Sequence, residues 1–359
     1  MRELEIVGGT FDRSGGRPSR IVATLEAQLG WHTFNGGHFG ELEKLDFSDT
    51  KVLLWMPQIS NDETKLLPRL KERWPRLLLI ASKNLDGRDF TAADMVGRLL
   101  RAKANLGITL SKEYNDLYEF TLLDPLGNEW CRTASVPSLA AAIEKRVGFL
   151  LNRVSRVGTV ALPPPRVVDC VTIDPEFITV VRQLGEQFAQ FVNAINPNRL
   201  LGNAATRCSF GFPAVREREH IFVTRRNVEK RTLSAADFVE VELRNHAIGY
   251  YGAFKPSVDT PMQLDLFARF PRVKYMVHGH VYVKGAPMTE AKLPCGAVEE
   301  AMEVRQALPT PPDLLDKNDF WARVGNTAVN LYGHGCLLLA QDLDFLRTVE
   351  LMARPFPER

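Results

Sequence analysis

The chain has 359 residues, enough for two domain cores of ordinary size rather than one. With 45% hydrophobic and 25% charged residues it reads as globular, which excludes a mainly disordered chain. Its 45 basic and 43 acidic residues leave a formal net charge of +2, which excludes a whole-protein field drawing nucleic acid or an anionic membrane.

Residues 1–156 alternate apolar strands with amphipathic helices. Leu4 to Val7 leads into a glycine-rich turn, and Ile21 to Leu29 follows at helical spacing. The run Lys51 to Met56 predicts a strand and Glu63 to Arg73 a helix; Leu77 to Ile80 and Phe90 to Ala104 repeat the pair. A strand at Tyr118 to Leu123, a turn at Asp124 to Asn128 and a helix from Ser138 to about Arg156 complete the segment. Uninterrupted apolar strands between helices predict a parallel sheet covered on both faces, a Rossmann-like or flavodoxin-like domain.

In that domain the loop Gly8 to Ser19 joins the first strand to the first helix. Ser14, Gly15, Gly16 and Ser19, with Arg17 or Arg20, could form an anion site from backbone N–H groups and the helix dipole. An ordinary tight turn and helix cap explains the same residues, since neither GxGxxG nor a Walker pattern is present. Asn35 to Gly37, Pro57 and Asn61 fall at the same strand ends, where an open parallel sheet borders its ligand crevice. A nucleotide-like or phosphorylated ligand is the expectation there. His32 and His38 lie near these turns without a metal-ligand pattern.

Pro163, Pro164 and Pro165 predict a linker over residues 157–169. Beyond it Phe177, Val180, Val181, Leu184, Phe188, Phe191, Val192 and Ile195 recur at helical spacing and open a second domain, residues 170–359. Short strands follow at His220 to Thr224, Phe238 to Leu243, Val273 to His278 and Gly335 to Ala340. The five cysteines are scattered without a CxxC pair, which argues against a disulfide framework or a thiolate zinc site. With no signal pattern and no run of membrane-spanning length, the expectation is a cytoplasmic protein without membrane partners.

His278 and His280 stand two apart at the end of a predicted strand, so both imidazoles face one side and can converge on one ion. His334, between Gly333 and Gly335, is the third candidate ligand for zinc or another divalent transition metal. Three protein ligands and one open position form the catalytic arrangement. Asp259, in a loop before a predicted helix, could be a fourth ligand or a base beside the ion.

An amphipathic helix, then Gly202-Asn203, a strand ending in Thr224, Pro256-Ser257-Val258-Asp259, eighteen residues, His278-Gly279-His280 and later His334-Gly335: this order resembles the class II aldolase/adducin family over roughly Ile173 to Leu346. The resemblance implies an α/β/α domain in which His278, His280 and His334 hold zinc. The residue matching Asp259 is a catalytic glutamate in L-fuculose-1-phosphate-type aldolases. It is a zinc-binding aspartate in L-ribulose-5-phosphate 4-epimerase, which this chain is more similar to here. The implied phosphate pocket comprises Gly202, Asn203, Thr224 and Ser257, with Asn227 and Val258 standing where the family has glycine and serine. Arg225 and Arg226 could replace the lost contact, or be solvated surface charges.

The family's general acid is a tyrosine from a neighbouring subunit, and no tyrosine follows Tyr332 here. Tyr282, Tyr332 and Glu290 are the substitutes, although Tyr282 also reads as a packed strand residue. The implied function is a zinc-dependent lyase or epimerase working through a metal-stabilised enediolate on a small hydroxy-carbonyl substrate of sugar-phosphate type. Such an enzyme is expected to form a homo-oligomer, after the fourfold tetramers of the family. The alternatives are a non-catalytic adducin-like binding protein and a two-domain enzyme for a nucleotide-linked substrate.

Overall fold

The computed structural model describes residues 4–10, 20–35, 46–58, 63–85, 91–112, 118–155, 157–163, 173–192, 202–210, 218–309 and 317–355. The chain divides into two units, one covering Met1–Arg153 and the other Val154–Pro355. The loop residues Ser14, Gly15, Gly16 and Ser19, together with Gly36, Gly37, His38 and Asn61, lie outside the described residues.

The first unit runs β1 (Leu4–Thr10), α1 (Arg20–Leu29), β2 (His32–Asn35), β3 (Val52–Gln58), α2 (Glu63–Arg73), β4 (Leu78–Asn84), α3 (Ala92–Ala102), β5 (Leu106–Lys112), β6 (Tyr118–Leu123), β7 (Glu129–Thr133) and α4 (Val136–Asn152). Its sheet has the order β2-β1-β3-β4-β5-β6-β7, with the first five strands parallel. The order 2-1-3-4-5 is the flavodoxin-like winding, whose chain reversal falls between β1 and β3. Leu53, Trp55 and Leu79 are fully buried against Leu66, Leu70, Met95 and Leu99 of α2 and α3.

Three features depart from the sequence expectation. The β5 strand was not expected, because Gly107 and polar Thr109 and Ser111 interrupt its apolar run; a Cβ at Gly107 would meet Met95. The expected strand Tyr118–Leu123 is antiparallel to β5 and turns through Asp124–Asn128 into β7, which was also unforeseen. Asp124 holds that turn by accepting from the Leu126 and Asn128 N–H groups. The fourth helix begins at Val136 because Ser135 caps it, accepting from the Ser138 N–H.

The second unit runs β8 (Thr159–Leu162), α5 (Pro175–Val192), β9 (Asn203–Phe210), β10 (Arg218–Thr224), β11 (Phe238–Arg244), β12 (Ala247–Tyr251), α6 (Thr260–Arg269), β13 (Tyr275–Gly279), β14 (Tyr282–Val283), α7 (Glu300–Ala307), α8 (Lys317–Arg323), β15 (Thr327–Leu331), β16 (Gly335–Ala340), α9 (Leu343–Thr348) and β17 (Leu351–Met352). The main sheet has the order β15-β16-β13-β9-β10-β11-β12-β8 and is antiparallel except at the β12–β8 edge. Part of the stretch read as a proline-rich linker, residues 157–169, is thus the edge strand β8. Thr159–Leu162 pairs with β12, and Pro163 stops it, as an edge strand allows. Pro164 and Pro165 lie outside the described residues.

Alternation along the central strands divides the core. Ala204, Val277 and Leu338 face Phe177, Val181 and Phe188 of α5, whereas Ala205, Met276, Leu337 and Leu339 face Leu266, Phe267 and Val304 of α6 and α7. The result is a helix–sheet–helix sandwich. No helix among the described residues is long and apolar enough to cross a membrane.

Candidate metal centre

The centre lies where β13 ends between β9 and β16. His278 follows the face of Met276, the side covered by α6 and α7, and Asn203 is its register partner on β9. Directly paired residues share a face, so Asn203 meets this site by register alone. Gly202 precedes it at φ 108, and a Cβ there would lie 1.9 Å from the His278 carbonyl oxygen. Only glycine lets β9 approach so closely.

His334 sits after the turn Tyr332-Gly333 that joins β15 to β16. Gly333, at φ 71, donates its N–H to the Tyr282 hydroxyl (2.9 Å), and its carbonyl accepts from Arg354 (2.8 Å). The Tyr332 N–H donates to Thr289 Oγ1 (2.8 Å). The turn is therefore fixed on several sides, and the imidazole it carries is fully buried.

The three rings gather closely: centroids are 5.1 Å apart for His278–His280, 4.6 Å for His278–His334 and 5.7 Å for His280–His334. One potential ligand atom from each lies within 4.8 Å of the others. His278 Nδ1 bonds the Cys336 carbonyl (2.8 Å), and His334 Nδ1 bonds Glu300 Oε1 (2.8 Å). With those nitrogens engaged, coordination by both rings falls to Nε2, and a carbonyl or carboxylate behind a metal-binding imidazole is the usual way its orientation is fixed. This donor set fits a divalent transition metal.

Asp259 stands at the N-cap position of α6 without capping it through its side chain, and it is buried. Its Oδ2 accepts from Asn203 Nδ2 (2.7 Å) and its Oδ1 from the Gly296 N–H (2.8 Å). Asn203 Oδ1 in turn accepts from Gln263 Nε2 (2.6 Å), so the chain Gln263–Asn203–Asp259 fixes both the amide and the carboxylate. Asp259 forms a second compact donor group with Cys295 and His334, again within 4.8 Å.

Burial pushes the Glu300 carboxyl above its ordinary range, opposed by the adjoining His334. Burial also works against a charged His334, but Glu300 and the Cys295 sulfur outweigh it and hold the ring well above its usual value. Lys230 is a further buried cation: burial pushes it down to about 8 against the pull of Glu229, Asp237 and Asp259, and its Nζ donates to the Val228 carbonyl (2.7 Å).

Thr224 and Ser257 join the same neighbourhood, since the Ser257 N–H donates to the Thr224 carbonyl (3.0 Å) and Thr224 Oγ1 accepts from the Ala204 N–H (3.2 Å). Asn227 has φ 57, the left-handed geometry expected of a residue in a glycine position. Arg225 is tied to Asp237 (2.9 Å) with its guanidinium over Phe254, whereas Arg226 bonds the Pro256 carbonyl and lies within the field of Asp259.

The substitutes for a general acid are placed otherwise. Tyr282 is buried with its hydroxyl on the Gly333 N–H, a contact that holds the His334 turn. Glu290 is exposed, and its N–H donates to Glu303. Tyr332 is 40% exposed beneath Lys292. Glu300, Gln263 and Cys295 were not singled out from the sequence. The glutamate pair 299–300 and the dipeptide Cys295-Gly296 were visible there, but nothing in their spacing ties them to residues more than thirty positions away.

Residues 198–349 match the Class II Aldolase and Adducin N-terminal domain. The matched span contains the three histidines, Asp259, Asn203, Gln263, Cys295 and Glu300, whereas Arg354 lies beyond it. A curated relative, methylthioribulose-1-phosphate dehydratase of Acidiphilium cryptum, is 31% identical over 108 residues, 30% of this chain and 46% of that protein. The chain thus spans less than half the length of the relative it matches. Among solved structures, a sugar-phosphate aldolase from Thermotoga maritima is 14% identical with a TM-score of 0.32, covering 48% of this chain and 90% of its own. A DNA/pantothenate metabolism flavoprotein from Streptococcus pneumoniae is 12% identical with a TM-score of 0.33, covering 41% of this chain and 99% of its own.

Proposed function

We propose that the protein is a divalent-metal-dependent lyase or epimerase, with zinc as the metal, acting on a small hydroxy-carbonyl compound of sugar-phosphate type. The observation that carries this reading is the convergence of His278, His280 and His334 within 4.8 Å, beside the buried carboxylate of Asp259. The dehydratase relative supports a lyase, and the Asp259 position supports the epimerase resemblance.

A divalent ion in this donor set supplies Lewis acidity to a substrate carbonyl oxygen. Asp259 keeps lone pairs beyond the two hydrogen bonds it accepts, so it can assist the ion or hold a proton taken from the carbon beside that carbonyl. Asn203, locked by Gln263, keeps the carboxylate in place. Thr224, Ser257 and the Arg226 guanidinium offer the polar groups for an anionic end of the substrate. The family's tetramers also support a homo-oligomer.

The test is to incubate zinc-loaded protein with a panel of ketose and aldose phosphates and follow the carbons by NMR. Cleavage, loss of water or epimerisation, abolished in Asp259→Asn, is the expected result. Turnover unchanged by Asp259→Asn or by the loss of His278 and His280 would contradict the assignment.

A further inference from the structure

We propose that Cys295 is a fourth protein ligand of the same ion, so that a thiolate from this chain closes the coordination shell until substrate displaces it. This rests on the three-histidine reading above and adds to it a ligand that the scattered cysteines of the sequence did not suggest.

The geometry that points to this is local. Cys295 Sγ lies 3.3 Å from His334 Nε2, and the other nitrogen of that ring is held by Glu300. Nε2 is therefore the atom that meets the ion, and the sulfur stands beside that atom. On a tetrahedral zinc, with Zn–S of ~2.3 Å and Zn–N of ~2.0 Å, sulfur and nitrogen ligands lie about 3.5 Å apart. The observed spacing is close to what joint coordination demands.

Asp259, Cys295 and His334 also place their ligand atoms within 4.8 Å of one another, and this group shares with the three histidines only His334, the residue through which the sulfur would join the ion. The backbone beside Cys295 is pinned. The Gly296 N–H donates to Asp259 Oδ1, and at φ 79 a Cβ on Gly296 would lie 2.8 Å from the Val258 carbonyl oxygen. Cys295 itself is exposed, whereas His278 and His334 are fully buried. The sulfur thus marks the solvent side of the cluster, the side from which a substrate oxygen arrives.

On coordination the thiol gives its proton to water as the sulfur–metal bond forms. When a substrate oxygen takes that position, the sulfur–metal bond breaks and the thiolate recovers a proton from water. No oxidant or reductant is involved.

The experiment uses the full chain loaded with cobalt(II), as wild type and Cys295→Ser. Wild type is expected to show visible ligand-field bands together with a near-ultraviolet sulfur-to-cobalt charge-transfer band. The variant should keep the visible bands, which also report that it has folded, and lose the charge-transfer band. A thiol reagent should modify Cys295 at least tenfold more slowly in zinc-loaded than in metal-free protein. Visible bands without a Cys295-dependent charge-transfer band overturn the thiolate and leave the three-histidine centre standing. No cobalt bands in the wild type overturn both.

Discussion

Replacing Gly202 by alanine tests whether the approach of β9 to β13 builds the centre. Gly202 has φ 108, and its Cβ would lie 1.9 Å from the His278 carbonyl oxygen and 2.8 Å from the carbonyl carbon. Both are backbone atoms, so no rotamer change relieves the contact. The positive φ costs about 1–3 kcal/mol, and forcing the strands apart about 1–3 kcal/mol more. The sum, about 2–6 kcal/mol, corresponds to a fall in melting temperature of roughly 5–20 °C for a unit of this size. Gly285 is the control: it has φ 74, but nothing lies within 4 Å of its added Cβ, so Gly285→Ala carries the backbone cost alone. Thermal unfolding followed by circular dichroism, together with zinc titration, reads both effects. Gly202→Ala should melt lower than Gly285→Ala and bind zinc more weakly, because His278 moves with its carbonyl. Equal melting temperatures and unchanged zinc affinity would refute the close-approach argument.

Three further predictions address the surroundings of the centre. Glu300→Gln weakens the partner that fixes His334 and should lower zinc affinity about 10–100-fold in a chelator competition. Tyr282→Phe leaves the buried Gly333 N–H without its acceptor and should cost about 1–3 kcal/mol by denaturant titration, with turnover at a saturating substrate little changed; a collapse of turnover without loss of stability would restore Tyr282 as the acid. Lys230 is held at about 8 when folded against an ordinary 10.5, so between those values the unfolded chain binds the extra proton and stability rises with pH. Below pH 8 the buried charge costs up to about 3 kcal/mol. Lys230→Met should therefore be the more stable protein at pH 7, with its advantage shrinking from pH 8 to 10; a constant difference across that range contradicts the burial effect.

The clustering of the three proposed ligands was legible because strand periodicity puts His278 and His280 on one face, and the glycines around His334 mark a tight turn. The loop before α6 already offered Asp259, the family resemblance over Ile173 to Leu346 added Asn203, and the structure joins those two by a hydrogen bond of 2.7 Å. The second circle of contacts was not legible. Glu300, Gln263 and Cys295 reach the centre through helix starts and turns whose placement follows from the folded sheet, and no local spacing ties any of them to the histidines. In the first unit, the long apolar runs of β3 and β4 announced a parallel sheet. The strand β5 hid because Gly107, Thr109 and Ser111 blur its pattern, although its backbone pairs throughout with β4 and β6. Tyr282 shows a second use for a tyrosine near the histidines: its hydroxyl accepts from the turn that carries His334, a contact no local pattern announces.

The most direct test is the metal content of protein purified without an affinity tag, compared with the His278→Ala/His280→Ala double variant. The account predicts about one zinc per chain, absent from the variant, since two of the three imidazoles are lost. A wild type that is free of metal and gains no thermal stability from added zinc, cobalt or manganese would contradict it.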